Sequence, residues 1–331
     1  MSNQISAKVI AHSKAKNTGK EIITFELEFP RIVLAEFNTH NALSKNSSSS
    51  RAIPVQTMIQ QVLDEPAMPV RFGKKNKGMQ DSGEHDQEVV HVLVKENAEW
   101  EGVPYWGYSP KDAWKLAAKE ASDWAEAFDK AGYAKQICNR LIEPFQRMKV
   151  VMTATELANF FWLRDHPAAD PTIEALAKEI KRVFKESTPI ELDVGDWHVP
   201  YFGGEGVGYW LKGCGILLQD ALDISASCCA QVSYRKLDDS EEKAKSVVER
   251  LNLGIDVNEP MHVSPCEHQA TPMIWPYGYF WMNAIKEFGE GVQYQEGTTA
   301  LDQHGNFWSG NLMGWTQYRH LIPGNTYKGA F

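Results

Sequence analysis

A polar run at residues 38–51 contains the side chains that are best suited to chemistry in this sequence. It holds one histidine, His40, a series of hydroxyls that ends at Ser50, and a guanidinium, Arg51. Hydroxyls and backbone N–H groups can donate to phosphate oxygens while an arginine binds them with two parallel hydrogen bonds. The same composition is also typical of a serine-rich linker. Other segments of the chain must decide between an anion-binding loop and a linker.

The residues before this run predict how it is positioned. From Ile23 to Phe29 apolar and polar side chains alternate, which predicts a strand with one buried face. Pro30 then opens a short apolar helix that ends near Phe37, because proline is tolerated in a first helical turn. We therefore predict a strand and a helix that lead directly into the polar run.

A second charged candidate, Arg140, stands among apolar residues shortly before Pro144. A guanidinium in apolar surroundings needs a partner. That partner is either a carboxylate, such as the one on Glu143, or the anion of a ligand.

A third segment, residues 153–164, predicts a helix with Thr153 or Thr155 as its cap. Asn159 lies amid bulky apolar neighbours in this helix, so we expect its amide to be buried. Either the backbone or a ligand can satisfy a buried amide.

Capping residues predict two longer helices, which begin at Ser109-Pro110 and at Asp170-Pro171. Apolar residues recur at helical spacing after the first of these caps, and we expect them to face the core. They are Trp114, Ala117, Ala121, Trp124 and Phe128.

The totals limit the classes of function. The chain has 331 residues, of which 43% are hydrophobic, and a formal net charge of −9. This charge argues against broad binding to a nucleic-acid polymer but permits a small anionic ligand, which needs only a few well-placed cations. No apolar run reaches the length of a membrane span, and the first residues lack the features of a signal peptide, so we expect a cytoplasmic protein with no membrane partner.

The cysteines and histidines do not indicate a metal site. The five cysteines form no CxxC pair. His262, Glu267 and His268 suggest a metal-binding group, but their spacing is not that of HExxH, and Pro265 would interrupt a helix that carried them. We therefore expect no metal.

These pieces resemble the flavin-dependent thymidylate synthase family, also called thymidylate synthase complementing proteins. The loop signature of that family is RHRxxSxNExSxRY, and residues 39–52 place His40, Ser44, Asn46, Ser49 and Arg51 in register with it. A second family segment, of the form NARSLxNFFxLR, resembles residues 153–164. Arg140 and Pro144 resemble the Arg-x-x-x-Pro that precedes that segment.

Three more likenesses occur out of the family's order. Residues 230–234, the charged helix at 241–253 and residues 262–268 resemble an AARVSF segment, a charged helix and an H-x-[ST]-P-F-E-H segment. The family has all three before the signature loop. The resemblance therefore implies a circular permutation, which proteins tolerate when the original termini lie close together.

The resemblance also implies the fold. We expect an α+β fold in which an antiparallel or mixed sheet is flanked by helices, and a single catalytic domain over residues 1–331. Within that domain, residues 56–108 would form excursion loops. Residues 269–331 would form an aromatic-rich tail packed on it.

The function implied by the resemblance is reductive methylation of dUMP at C5. Methylenetetrahydrofolate would provide the one-carbon unit, FAD the hydride and NADPH the reducing equivalents, in a homotetramer whose sites are built from several subunits. Two alternatives stay open. One is a variant one-carbon transfer to the same carbon, such as hydroxymethylation, and the other is a catalytically silent homologue that binds a nucleotide.

The resemblance assigns roles by position and implies no covalent protein nucleophile. The implied nucleotide-binding residues are Ser47, Ser48, Ser49, Arg51, Arg140 and Arg164. The implied flavin-binding residues are His40, Asn159, Ser264 and His262. Arg164 is also the expected catalytic residue, because a cation against the pyrimidine ring stabilises the charge that develops there.

Several positions depart from the family's pattern. Arginines are replaced by Thr39, Asn41 and Thr155, an asparagine by Thr153, and a glutamate by Ser47. Each lost charge-assisted hydrogen bond would cost FAD binding roughly 1.5–3 kcal/mol. We expect Arg319 to compensate, since residues 317–320 resemble the residues that lead into the signature.

Overall fold

The computed structural model describes residues 4–78, 80–90, 107–204, 206–232, 237–257, 259–274 and 294–326. The helices are α1 Leu34–Asn38, α2 Val55–Asp64, α3 Pro110–Lys130, α4 Lys135–Leu141, α5 Ala158–Arg164, α6 Pro171–Glu186, α7 Leu218–Ala230 and α8 Glu241–Leu251. The strands are β1 Ser6–Ala15, β2 Glu21–Pro30, β3 Ser44–Ser47, β4 Val89–Val90, β5 Gly107–Tyr108, β6 Arg147–Ala154, β7 Ile190–Leu192, β8 Trp197–His198, β9 Tyr209–Trp210, β10 Ala270–Pro272, β11 Ala300–Leu301, β12 Phe307–Ser309, β13 Leu312–Met313 and β14 Trp315–Gln317. Short 3-10 helices cover Arg31–Val33, Glu143–Phe145, Ser264–Glu267 and Tyr318–Leu321.

A mixed five-stranded sheet in the order β3-β6-β2-β1-β7 forms the centre of the fold. All neighbours in it are antiparallel except β1 and β7, which are parallel. The alternation at Ile23–Phe29 predicts β2 correctly, because Phe25, Leu27 and Phe29 are fully buried on one face. The expected α+β class with helices beside a mixed sheet is confirmed.

Helix α6 covers the face of the sheet that carries Phe25 and Leu27. Its start is where the sequence predicts it, because the Asp170 carboxylate accepts a hydrogen bond from the Thr172 amide at 2.7 Å. Ile173, Leu176, Ala177 and Ile180 of this helix are fully buried against β2 and β6. This apolar core fixes β6, and β6 in turn fixes the edge strand β3.

The opposite face of the sheet carries a chain of buried polar side chains. Thr24 Oγ1 lies 2.6 Å from Thr153 Oγ1 and 2.9 Å from His198 Nε2. Thr153 Oγ1 also hydrogen-bonds with His268 Nδ1 at 2.9 Å, and Ser13 Oγ with His198 Nδ1 at 2.9 Å. These bonds tie β8 and the segment before β10 to the central sheet, so the second half of the chain packs on the first through neutral polar groups.

The region expected to form excursion loops, residues 56–108, begins differently. Helix α2 occupies Val55–Asp64 and packs with α3 and α4 around a second, smaller core. The expectation of loops is therefore wrong for the start of this region, and residues 91–106 lie outside the described part. The expected core stripe of α3 is also displaced: Trp124 is 59% exposed, while Ala118, Ser122 and Ala125 are buried.

The tail contributes strands to two small sheets. Strands β10 and β14 join β8 and β9 in a four-stranded sheet, and β11, β12 and β13 form a three-stranded sheet. Residues 275–293 and 327–331 of the tail lie outside the described residues. None of the helices in the described part of the chain is both long enough and apolar enough to span a lipid bilayer.

Stability should depend on pH because two histidines of the polar chain are buried. Burial lowers the pKa of His198 and of His268 from 6.5 to about 3. Between pH 3 and pH 6.5 the unfolded chain therefore binds more protons than the folded chain. The free energy of unfolding should have its full value above pH 6.5 and should fall as the pH drops toward 3. Urea unfolding at pH 7 and at pH 5 measures this difference.

The variant His268→Gln removes one of these titrating groups and should show a smaller loss between pH 7 and pH 5 than the wild type. His304→Gln, at an exposed position, is the matched control and should behave like the wild type. Equal losses in His268→Gln and the wild type would contradict the prediction.

Candidate functional site

The polar run at residues 38–51 is not a linker. It leaves α1 through a turn at His40, forms β3 over Ser44–Ser47 and continues as a loop that ends before α2. Strand β3 pairs with β6, with Ser44 opposite Thr153 and Ser47 opposite Val150. The run is therefore an integral edge of the central sheet, and its side chains have fixed positions.

Arg164 and His40 meet at the start of this run. Arg164 Nε, at the end of α5, donates to His40 Nε2 at 2.9 Å. Its Nη2 lies 3.3 Å from Thr39 Oγ1. Because His40 Nε2 accepts this bond, the proton of the neutral imidazole is on Nδ1. Burial, followed by the charges of Arg164 and Lys45, lowers the pKa of His40 to about 4.

Lys45 lies on the other side of the same turn. Its ammonium donates to the carbonyl oxygens of His40 at 2.7 Å and Asn38 at 3.3 Å, and it stands 5.6 Å from the centre of the Phe37 ring. Burial lowers the pKa of Lys45, and the carboxylate of Glu267 opposes this shift. The cation thus stabilises the free carbonyls at the end of α1 and holds the His40 turn.

The other end of the run is anchored from α4. Asn139 is fully buried and donates from Nδ2 to the carbonyl oxygens of Ser50 at 2.9 Å and Ile53 at 3.0 Å. The Ser49 hydroxyl accepts from the Arg51 amide at 3.2 Å. Arg51 and Ser49 are exposed, whereas Ser47 and Ser48 are half-buried. The loop therefore keeps a defined shape while Arg51 stays free to reach a ligand.

A cavity of ≈ 200 Å³ opens beside this loop. Ser48 lines it together with Arg147 and Lys149, two residues on the same face of β6. Arg147 is held by Glu28 and Glu65, each at 3.3 Å. The cavity therefore offers both donors and acceptors next to the predicted phosphate loop.

The sequence suggested that Arg140 is surrounded by apolar residues, but the structure shows that it is not. It is exposed on α4, because its apolar neighbours Cys138 and Ile142 point to the opposite side of the element. Its expected alternative partner, Glu143, pairs with Arg31 at 2.8 Å instead. Arg140 does lie next to Asn139, which anchors the loop, so it shares the loop's end of β3 with Arg51.

Asn159 is also not buried. It lies in the first turn of α5 with its side chain exposed, since Phe160 is the residue there that faces the core. The helix begins at Ala158, and the two expected cap positions lie earlier, Thr153 being the penultimate residue of β6. The predicted helix is therefore correct only in its second half.

The C-terminal candidates come to the same edge strand. His262 and Ser264 are exposed near the 3-10 helix Ser264–Glu267, and Arg319 pairs with Glu267. Arg319 Nε is buried and has no hydrogen-bond partner among the described residues. The 3-10 helix contacts β3, so the ion pair of Arg319 with Glu267 lies beside that strand.

Gln317 connects these C-terminal elements to β3. Its amide donates to the Glu267 carbonyl at 2.9 Å and to the Ser44 hydroxyl at 3.2 Å. Ser44 in turn donates to Asn311 Oδ1 at 2.8 Å. Sequence reasoning missed Gln317 and Asn139, because no local pattern indicates contacts to carbonyls and hydroxyls so far along the chain. It also missed Lys45, although its carbonyl acceptors on Asn38 and His40 are close in sequence.

Two departures from the family's pattern have hydrogen-bond partners in the C-terminal half of the chain. The Thr153 hydroxyl bonds His268, and the Thr155 hydroxyl accepts from the Met313 amide at 2.9 Å. Both positions therefore dock the C-terminal half on β6. A long arginine side chain at position 155 would compete with Met313 for this space.

The candidate residues form two groups at opposite ends of β3. The first group is His40, Arg164, Ser264 and Arg319, and the second is Ser47, Ser48, Ser49, Arg51 and Arg140. Four strand residues extend about 13 Å at roughly 3.3 Å per residue, so one ligand group cannot touch both ends within one chain. No group of three or more metal-binding side chains comes together in the described residues.

The sequence motifs within residues 38–164 lie in the part of the chain that matches a family model. The model of the family described as thymidylate synthase complementing protein matches residues 5–190. A UMP/dUMP methylase, PolB from Streptomyces cacaoi, bound with 5-Br dUMP, has a structure 14% identical to this chain with a TM-score of 0.36. That match covers 55% of this chain and 90% of the other. No curated protein matches the sequence.

Removing the anchor of the loop should destabilise the protein. Asn139→Ala leaves the carbonyls of Ser50 and Ile53 without their donor, and a buried group left unsatisfied costs about 1–3 kcal/mol. Urea unfolding measures this loss, and limited proteolysis measures the release of the loop. Asn159→Ala, an exposed amide, is the matched control and should change neither; similar losses in both variants would contradict the structure.

Proposed function

The chain belongs to the thymidylate synthase complementing protein family, and we propose that it transfers a one-carbon unit to C5 of the pyrimidine ring of dUMP. In full, the proposed reaction is reductive methylation with methylenetetrahydrofolate as the donor, FAD as the flavin and NADPH as the reductant. The contact between Arg164 and His40 carries the proposal. It joins the two family motifs at one point, although 124 residues separate them.

Arg164 has the properties required of a group that stabilises charge on a pyrimidine. Its guanidinium is half-buried and oriented by neutral partners, His40 and Thr39. A cation in a site with little water stabilises developing negative charge more strongly than it would in bulk solvent. We therefore assign Arg164 as the residue against the ring, where it favours loss of the C5 proton and entry of the one-carbon group.

The loop at the other end of β3 would bind the phosphate of the nucleotide. Ser47, Ser48 and Ser49 offer hydroxyls, and Arg51 and Arg140 offer exposed guanidiniums at the same end. These donors match the tetrahedral oxygens of a phosphate. The anchoring by Asn139 fixes the loop before the ligand arrives, so less entropy is lost on binding.

The residues at the His40 end fit a flavin. Arg319 Nε is a donor without a partner among the described residues, and His40 Nδ1–H, Ser264 and Asn159 add neutral polar groups. These residues would hold FAD, with exposed His262 at the edge of the site. Bound in its reduced form, FAD would supply the hydride for the reductive step.

We further propose a homo-oligomer, in which two chains complete each site. The two groups of candidate residues lie at opposite ends of β3, and α5 exposes Trp162 at 75% next to Arg164. A large apolar side chain in solvent favours burial against a partner. A symmetric assembly, up to the tetramer expected from the family, would bring the His40 end of one chain to the loop of another.

The circular permutation is also a proposal. The segment at 262–268 packs beside β3 and bonds Thr153 of β6, so it contacts the part of the chain that matches the family. That contact supports an origin within the same ancestral domain. A permutation would explain why segments that follow the matched region in sequence pack against its edge strand, β3.

The reaction is tested by anaerobic incubation with dUMP, methylenetetrahydrofolate, FAD and NADPH, with the product identified by mass. We expect thymidylate. A hydroxymethyl product would reassign the reaction, and the absence of any product from a protein that binds dUMP would favour a silent homologue.

Arg164→Lys keeps the charge but loses the planar fork, so kcat should fall about 100-fold or more. Arg182→Lys, exposed on α6, is the control and should keep full activity.

Shared sites are tested by mixing two inactive variants. Arg51→Gln and Arg164→Lys damage opposite ends of β3, so a random mixture of subunits should restore up to about a quarter of the wild-type sites. Activity is measured after the two proteins are unfolded together and refolded. Two copies of the same variant, treated alike, are the control. No recovery in an oligomer shown to be mixed would mean that each chain holds its own site.

A further inference from the structure

A second cavity, of ≈ 270 Å³, opens against β1 and β2 of the central sheet, and none of the candidate residues lines it. Glu26 of β2 and Tyr201, from the segment after β8, contribute its polar wall. Glu26 lies two residues from Thr24 along β2, so the cavity is on the same face of the sheet as the chain of buried polar side chains. The proposed reaction leaves this cavity without a role.

Two backbone irregularities flank the cavity. The pairing of β1 with β2 shifts its register between Val9 and Ala11, which makes a bulge at Ile10. Tyr201 has a φ of 70°, in the left-handed region where a bulky side chain is strained. A Cβ on Gly208 would come within 2.5 Å of the Ala11 Cβ, so the segment after β8 lies directly against the bulge. Bulges and strained residues both concentrate beside functional sites.

Tyr201 orients the carboxylate of Glu26 in this cavity. Its hydroxyl donates to Glu26 Oε2 at 3.1 Å. Burial raises the pKa of Tyr201, so the hydroxyl keeps its proton and stays a donor. A neutral phenol fixes the carboxylate without cancelling its charge, and a carboxylate can accept further hydrogen bonds. No lysine or arginine in the described part of the chain forms an ion pair with Glu26.

The remaining lining residues limit the kind of ligand. Asp239 adds a second carboxylate, whereas Lys8, opposite Glu26 in the pairing of β1 with β2, adds one ammonium. Two negative charges against one positive charge favour a cation over an anion. The other side chains at the cavity are apolar, those of Val9, Ile10 and Leu237, so they suit a ligand with a hydrocarbon part. Ligand sites commonly have about 300–1,000 Å³, so this cavity takes a small molecule.

We propose that this cavity binds a small organic cation, a primary amine on a short hydrocarbon chain, through the carboxylate of Glu26. The ammonium has three donors, which match the lone pairs of Glu26 that Tyr201 does not use. The hydrocarbon chain would lie against Ile10 and Val9. Among the described residues no three metal-binding side chains come together, which favours an organic cation over a metal ion.

The test is isothermal titration calorimetry of the whole protein with n-butylamine, 1-butanol and butyrate. We expect n-butylamine to bind and the uncharged and anionic analogues to bind at least tenfold more weakly. Glu26→Gln keeps the size of the side chain but removes its charge, so n-butylamine should bind about tenfold more weakly. Tyr201→Phe keeps the ring but removes the donor, and the loss should be about threefold. Glu120→Gln, exposed on α3, is the control and should bind like the wild type.

Circular dichroism and thermal melting show which variants are folded. Should Glu26→Gln not fold, the exposed substitution Asp239→Asn takes its place and should weaken n-butylamine about threefold. No binding of n-butylamine to the wild type would overturn the proposal, and so would equal binding of 1-butanol or an unchanged affinity in folded Glu26→Gln. These results do not depend on the proposed one-carbon transfer, because they measure binding at a cavity that contains none of its residues.

Discussion

The hydrogen bond between Thr153 and His268 is the interaction on which the candidate site depends. It ties the residue after Glu267 to β6 at 2.9 Å, inside a core that excludes water. A charged imidazole would be costly there, and the pKa of about 3 keeps His268 neutral. Because the bond fixes the end of the 3-10 helix Ser264–Glu267, it also fixes the carboxylate that orients Arg319.

Features with local causes could be predicted from the sequence. The start of α3 follows from Ser109, whose hydroxyl accepts from the Asp112 amide, three residues away. The buried face of β2 follows from the alternation of apolar and polar residues over Ile23–Phe29. In each case the information lies within one segment or one motif, so no knowledge of distant packing was needed.

Features set by distant contacts could not be predicted. Apolar neighbours in sequence suggested that Arg140 and Asn159 are buried, but successive helical residues point in different directions, and both are exposed. The same ambiguity placed Trp124 in the core. Gln317 bonds Ser44 across 273 positions of the chain, and no local pattern marks such a pair. The sequence therefore shows the C-terminal residues of the candidate site only as isolated motifs, and the fold shows that they lie beside β3.

The partner of Arg164 explains how the site can orient a guanidinium without neutralising its charge. A carboxylate would hold Arg164 firmly, but it would also cancel the charge that a substrate or cofactor needs. Neutral His40 accepts through Nε2 at 2.9 Å and fixes the fork while leaving the net charge intact. Burial, followed by the charges of Arg164 and Lys45, lowers the pKa of His40, so the two cations help to keep neutral the acceptor that orients one of them. Arg319, in contrast, is oriented by the carboxylate of Glu267, so its charge is already partly balanced.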